Sequence, residues 1–125
     1  MQPDTPNAEA IVARQLDAYN ARDIDAFMAA WHDDAEIFAH PGELLARGTA
    51  EIRARHVARF KEPDLHGKLI ARVSVANLVV DREIVTRNFA EGHGRIDVIA
   101  IYEIEDGKIA RAWFKQGSPV LDKTG

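Results

Sequence analysis

The chain has 125 residues, 46% of them hydrophobic and 29% charged, with 16 Lys plus Arg against 20 Asp plus Glu for a formal net charge of −4. That is the size and balance of one globular domain rather than a disordered or fibrous chain. The mildly acidic balance lacks the basic stripe that non-specific nucleic-acid binding needs, the absence of cysteine excludes disulfides, thiolate metal sites and a cysteine nucleophile, and no apolar run is long enough to span a membrane.

The start of the chain, MQPDTPNAEA, has neither the basic nor the apolar region of a secretory signal, so the expected location is the cytoplasm. Residues 1–6 are polar, hold two prolines and read as a flexible lead-in; one domain follows over 7–117, and 118–125 read as a polar tail. Asn7 is placed to cap a first helix running to about Ala21, with Ala8, Ile11, Val12, Leu16 and Tyr19 on one stripe and Gln15 among them. Asp23 is placed to cap a short second helix whose buried face takes Ile24, Phe27, Met28 and Trp31. His32-Asp33-Asp34 stops that helix, Glu36–Ala39 reads as a short strand, and Pro41-Gly42 turns the chain after His40. Thr49 is placed to cap a third helix to about Lys61; Ile52, His56 and Phe60 form its apolar stripe, and Arg53, Arg55, Arg59 and Lys61 decorate the rest.

From Leu65 the period changes to two. Strands are predicted at about Leu69–Val75, Val79–Phe89, Arg95–Glu105 and Lys108–Gln116. Asn77 marks one turn, Ala90–Gly94 a loop, and Asp106-Gly107 a tight hairpin. Ile96, Val98, Ala100, Tyr102 and Ile104 share one face of the third of these strands, and Ala110, Ala112, Phe114 and Gln116 share one face of the fourth. Helices first and an antiparallel meander after predict an α+β domain with helices on one face of the sheet.

Three strings carry a resemblance: Tyr19-Asn20-Ala21-Arg22-Asp23-Ile24-Asp25-Ala26-Phe27 with Trp31-His32-Asp33-Asp34-Ala35-Glu36-Ile37; Gly48-Thr49-Ala50-Glu51-Ile52-Arg53; and Ile101–Ile109 with Ala112-Trp113-Phe114. Over roughly residues 7–116 the chain resembles the cone-shaped NTF2-like superfamily, and within it the SnoaL-like and ketosteroid-isomerase-like proteins. The resemblance implies three N-terminal helices packed in a strongly curved antiparallel sheet around a pocket, and a homodimer through the outer sheet face. Ile99 and Ile101, opposite Val98 and Ala100, and Trp113 supply apolar side chains for that face. The fold fits isomerases, cyclases, dehydratases, hydrolases and non-enzymatic binders alike.

The resemblance also implies where isomerase chemistry would sit. Its tyrosine position falls at Gln15, its carboxylate base at Ala39 and its protonated acid at Ala100, so all three are replaced and steroid isomerisation of the usual kind is disfavoured. A one-residue shift makes His40 the candidate catalytic residue, since imidazole titrates near neutral pH; an Asp or Glu is the other candidate base, with Tyr19 or Gln15 polarising a carbonyl. Asp81 and Glu83 lie one strand step apart on one face; they read either as a general acid–base pair with a histidine or, with Arg82 and Arg87 nearby, as a solvated face, and the second reading is favoured. His66 shares the parity of Lys68 and Arg72, away from the greasier side, and Asp97 has Arg95 or an adjacent-strand arginine as partner.

The pocket wall is predicted from Gln15 and Tyr19 of the first helix, Ile52 and His56 of the third, Phe38 of the short strand, and Val98, Ala100, Tyr102, Ala112 and Phe114 of the last strands. The small side chains Ala100 and Ala112 are taken to leave the void. The expected ligand is a small apolar or carbonyl-containing compound. No histidine pair has helical zinc spacing, and Gly92-His93-Gly94 is no phosphate loop, so neither metal nor cofactor is expected. The function predicted is general acid–base catalysis on a small apolar carbonyl compound; the alternative is a non-catalytic ligand-binding or dimerisation module.

Overall fold

Apolar spacing decides which segments coil and which extend. In the computed structural model, which describes residues 6–122, the elements are α1 (Pro6–Ala21), α2 (Ile24–Ala29), β1 (Trp31–Ala39), β2 (Glu43–Arg47), α3 (Gly48–Arg59), β3 (His66–Val75), β4 (Leu78–Phe89), β5 (Gly92–Glu105), β6 (Lys108–Gln116) and β7 (Val120–Leu121). The expected lead-in therefore lies almost wholly outside the described residues. So does the side chain of Asn7, which sits one residue inside α1 rather than ahead of it.

The stripe of α1 is buried through Ala8, Ile11, Val12, Gln15 and Leu16. Asp23 caps α2 as its position predicts, its carboxylate accepting from the Ala26 N–H at 3.1 Å. Trp31, expected on α2, instead opens β1. The chain leaves helical geometry after Ala30, and Trp31 pairs with Ile109 of β6 while the Ile109 N–H donates to the Ala30 carbonyl at 2.8 Å. At the start of α3, Thr49 is not the cap. Glu51 reaches back to accept from the Arg47 N–H at 2.8 Å, and the Thr49 hydroxyl donates to the Asp33 carbonyl, tying α3 to β1.

The sheet runs β2-β1-β6-β5-β4-β3, with β7 added on β5. It is mixed rather than wholly antiparallel as expected: β1 runs parallel to β6, and every other pair is antiparallel. Parallel neighbours need a long crossover, and here the rest of the domain supplies it. Asp106 and Gly107 both take positive φ, 52° and 76°, the backbone a two-residue hairpin turn requires. The expected loop Ala90–Gly94 shortens to a turn at 90–91, with Gly92 to Gly94 already in β5. There is a reason for glycine at 94. A Cβ would collide with the Val120 carbonyl and lie 2.9 Å from the Leu121 Cα, so only glycine lets β7 lie against β5. The tail thus carries a strand where none was predicted.

The sheet is curved, and the helices pack within the curve. One apolar cluster joins Ile11, Val12, Phe27, Trp31, Ile37, Ile52, Val79 and Ile109; a second joins Leu65, Val85, Ile96 and Val98. Each such fully buried side chain contributes roughly 1.5–3 kcal/mol. Tyr19, Phe60 and Phe114 border both clusters. The Asn20 amide clamps α1 to β3, donating to the Gly67 carbonyl at 2.9 Å and accepting from the Gly67 N–H at 2.7 Å. No helix among the described residues is long and apolar enough to cross a membrane.

Candidate functional site

Helix stripes and the inner sheet face do not meet completely. They leave a cavity of about 450 Å³, within the size range of small-molecule sites. Buried Gln15, Trp31 and Tyr102 form its deep end, Arg55, His56 and Arg59 its α3 side, Glu83, Val85 and Arg87 its β4 side, and Ile96, Val98 and Phe114 much of the rest. Exposed His40, Leu45, Lys115 and Gln116 ring the mouth.

The deep end is polar in a specific way. The Tyr102 hydroxyl donates to Gln15 Oε1 at 3.5 Å, which leaves the Gln15 amide N–H groups as donors. Burial above all, and then the nearby carboxylates Glu83 and Asp81, push the Tyr102 phenol well above the ordinary tyrosine range. His56 donates from Nδ1 to the Ile52 carbonyl at 2.9 Å and packs on Phe27 with ring centroids 4.4 Å apart. Burial in that aromatic cluster drops its pKa to about 4, so at neutral pH it is an uncharged imidazole with Nε2 free to accept.

β4 carries the main departure from expectation. Asp81 and Glu83 are not on a solvated face: Asp81 is 0% exposed and Glu83 is 6% exposed. Register explains it, because Asp81 pairs with Ala100 and Glu83 with Val98, both inner-face residues of β5. Asp81 is neutralised by Arg72 of β3, whose guanidinium forks onto both carboxylate oxygens at 2.6 and 2.9 Å. Glu83 has no such partner. Its Oε2 is buried without a hydrogen bond among the described residues, as is the indole Nε1 of Trp31 on the same cavity. Burial, and secondarily the Asp81 charge, raises the Glu83 pKa to about 7, against the pull of Arg72. Two residues that line one cavity thus each hold a buried polar atom, an acceptor and a donor, that no protein group satisfies.

Of the residues predicted from sequence, Gln15, Tyr19, His56, Val98, Tyr102 and Phe114 line the cavity; Phe38, Ile52, Ala100 and Ala112 do not. Phe38 lies on the opposite sheet face, stacked on Trp113 at 5.7 Å and 15°, because β1 presents its neighbour Ile37 to the cavity and successive strand residues alternate faces. Ile52, Ala100 and Ala112 are fully buried in the main core, so the two alanines mark packed volume and not the void. His40 stands exposed at the mouth, its N–H donating to the Phe114 carbonyl at 2.9 Å. His66 is exposed, as its parity predicts, and Asp97 meets Arg82 of β4 at 3.2 Å. Sequence reasoning ranked a solvated face above an acid–base role for Glu83, and missed Trp31 Nε1 and the cavity role of Arg55, Arg59 and Arg87. The available signal for β4 was its alternation of Val79, Asp81, Glu83 and Val85 against Val80, Arg82, Ile84 and Thr86, which are equally mixed. Among the described residues no group of three or more Asp, Glu or His side chains could hold a metal ion.

The sequence pattern that defines the SnoaL-like domain matches residues 12–112, which is most of the chain. The chain belongs to the SnoaL-like family. No curated protein matches it. Among solved structures, this SnoaL-like domain is similar to an uncharacterised cystatin-fold protein from Novosphingobium aromaticivorans, at 29% identity and a TM-score of 0.79 over 86% of this chain and 96% of that one. A candidate ketosteroid isomerase from Kribbella flavida matches at 17% identity and a TM-score of 0.78 over 98% and 86% of the two chains. An LEH-like epoxide hydrolase from M. tuberculosis matches at 19% identity and a TM-score of 0.77 over 92% and 86%. The last two share the fold at identities that carry no function. In this SnoaL-like domain the cavity carboxylate stands on β4, and Ala39 lines the cavity with no proton to move.

Proposed function

We propose that this SnoaL-like protein is an enzyme that moves a proton on a small carbonyl compound, with Glu83 as the general base and acid. The observation that carries the reading is that Glu83 and Trp31, each with a buried polar atom left unpartnered, line the same cavity. In this reading the substrate carbonyl accepts from Trp31 Nε1, with the Gln15 amide as a second donor. The Glu83 carboxylate takes a proton from the carbon next to that carbonyl, and negative charge develops on the oxygen where the donors stand. Protonated Glu83 returns the proton to another carbon of the resulting enolate, which completes an isomerisation; where the enolate carbon instead attacks a second carbonyl of the same substrate, Glu83 gives its proton to the alkoxide formed, which completes a ring closure. A carboxyl group with a pKa of about 7 both takes and gives a proton near neutral pH. Ile96, Val98 and Phe114 offer the apolar wall for the hydrocarbon part. His40, at the mouth, is assigned no proton transfer.

The test is deuterium exchange next to the carbonyl of small cyclic ketones, followed by NMR in D₂O. Glu83→Gln keeps the shape and removes the base, and is expected to slow the catalysed exchange by about 10²–10⁴-fold. Exchange that Glu83→Gln leaves untouched overturns the assignment. The replacement of the three isomerase positions by Gln15, Ala39 and Ala100 favours a second reading, a non-catalytic binder; ligand affinity with no exchange in the native protein would select it.

The assembly we propose is a homodimer through the outer sheet face. Cross-strand partners Val73, Val80, Ile101, Trp113, Phe38 and Leu44 make one apolar row across all six strands from β3 to β2. Its ends are open, Val73 at 64% and Leu44 at 43% exposed, which supports a covering partner.

A further inference from the structure

We infer that the cavity takes a ligand bearing a carboxylate, held at the α3 end by Arg55 and Arg59 and kept apart from Glu83. The inference rests on the cavity being the ligand site and names the substrate class within it: an apolar acid whose carbonyl lies at the Glu83 and Trp31 end. Three guanidiniums, Arg55, Arg59 and Arg87, line this end of the cavity. Two of them share one carboxylate. Arg87 forks onto both oxygens of Glu62 at 2.8 Å, and Arg59 reaches the same group only at 3.6 Å. Among the described residues Arg55 has no carboxylate within ion-pair distance. Burial, then the charges of Arg59 and Arg87, pull the Arg55 pKa below its ordinary value, as expected of crowded like charges that lack an anion.

The other charges facing the cavity make the polarity one-directional. Lys115 adds a further positive group at the mouth, Asp81 is spent on Arg72, and Glu83 is the carboxylate among the lining residues. Glu83 and Arg87 share the inner face of β4 four residues apart, which is about 13 Å along a strand. An acid is therefore repelled at one end and attracted at the other, and its orientation follows. Arginine suits the task because its planar fork meets a carboxylate with two parallel hydrogen bonds.

The probes are 2-naphthoate and 2-naphthamide, which differ in charge and little in shape, titrated by calorimetry into the native protein, Arg55→Gln and Arg55→Gln/Arg59→Gln. Naphthoate is expected to bind about tenfold or more tightly than naphthamide, as one charge-assisted pair provides. Arg55→Gln should erase most of that preference and leave naphthamide within about twofold, and added salt should weaken naphthoate alone. Thermal melts of the variants matching the native protein exclude misfolding as the cause. Equal affinity for the two probes, or a preference that survives the double substitution, overturns the carboxylate subsite while naphthamide binding still upholds the cavity as a ligand site. Failure of both probes to bind overturns the subsite and the ligand site together. A naphthoate preference in a protein whose ketone exchange is untouched by Glu83→Gln upholds the subsite and overturns only the proton-transfer role.

Discussion

Glu83 and His56 line one cavity and answer to pH in opposite directions. The Glu83 carboxyl has a folded pKa of about 7 against 4.5 for an ordinary glutamate. Its protonated form is therefore favoured by folding, and that stabilisation is full below pH 4.5 and lost as pH rises through 7. His56 falls to about 4 from 6.5. Its neutral form is favoured by folding, and that stabilisation is full above pH 6.5 and lost as pH falls through 4. Between pH 4.5 and 6.5 the two slopes cancel. Glu83→Gln should then lose roughly 2–3 kcal/mol of stability on going from pH 7 to pH 4, and His56→Phe a similar amount on going from pH 4.5 to pH 7, with the native protein flatter than either. Urea denaturation across that range reads the slopes, and a Glu83→Gln curve parallel to the native one refutes the burial argument. In the ketone assay, turnover should rise as pH passes through about 7 and Glu83 becomes the base.

At the scale of elements, what was legible from sequence followed from period alone. The stripe of α1, the Asp106-Gly107 turn and the bounds of β6 needed no knowledge of neighbours, and each stands where spacing put it. What was illegible depended on register. Whether Asp81 faces water or Ala100 is set by pairing between β4 and β5, and its partner Arg72 sits on a third strand. Local pattern cannot carry that information. The same holds for Phe38, whose outward face is set by the pairing of Ile37 with Ala112 and of Phe38 with Trp113, and for β7, a two-residue strand made possible by Gly94. Two variants test these placements. Ala100→Phe overpacks a filled core and should cost about 1–3 kcal/mol in denaturation; a neutral outcome would mean that the void reaches Ala100 after all. Gly94→Ala should free β7, seen as rapid exchange of the Asp122 amide, whose N–H donates to the His93 carbonyl at 2.9 Å, with the exchange of β4 unchanged. Retained protection at that amide would refute the close approach.

At the scale of the whole molecule, the helices use the inner face of the sheet and leave the outer apolar row to something else. A covering partner should bury at least about 1,000 Å² in total. Ile101, in the middle of that row between Val80 and Trp113, is the position to charge. Ile101→Asp should convert the dimer to monomer in sedimentation velocity without loss of helical signal. A native protein that sediments as a monomer at tens of micromolar contradicts the assembly. Because Ile101 and Tyr102 point to opposite faces of β5, the same variant should leave naphthamide binding intact.

The parallel pairing of β1 with β6 also sets an order in time. Ile37 finds its partner in Ala112 and Phe38 in Trp113, so β1 leaves the ribosome long before the strand that completes it. Until Lys108–Gln116 emerge, β1 has only β2 to pair with, and Glu83 has been made without the Phe114 wall beside it. Contacts this distant in sequence form late and slow folding. Closing the cavity therefore waits on β6, which comes between β5 and β1 and brings Phe114 to the wall.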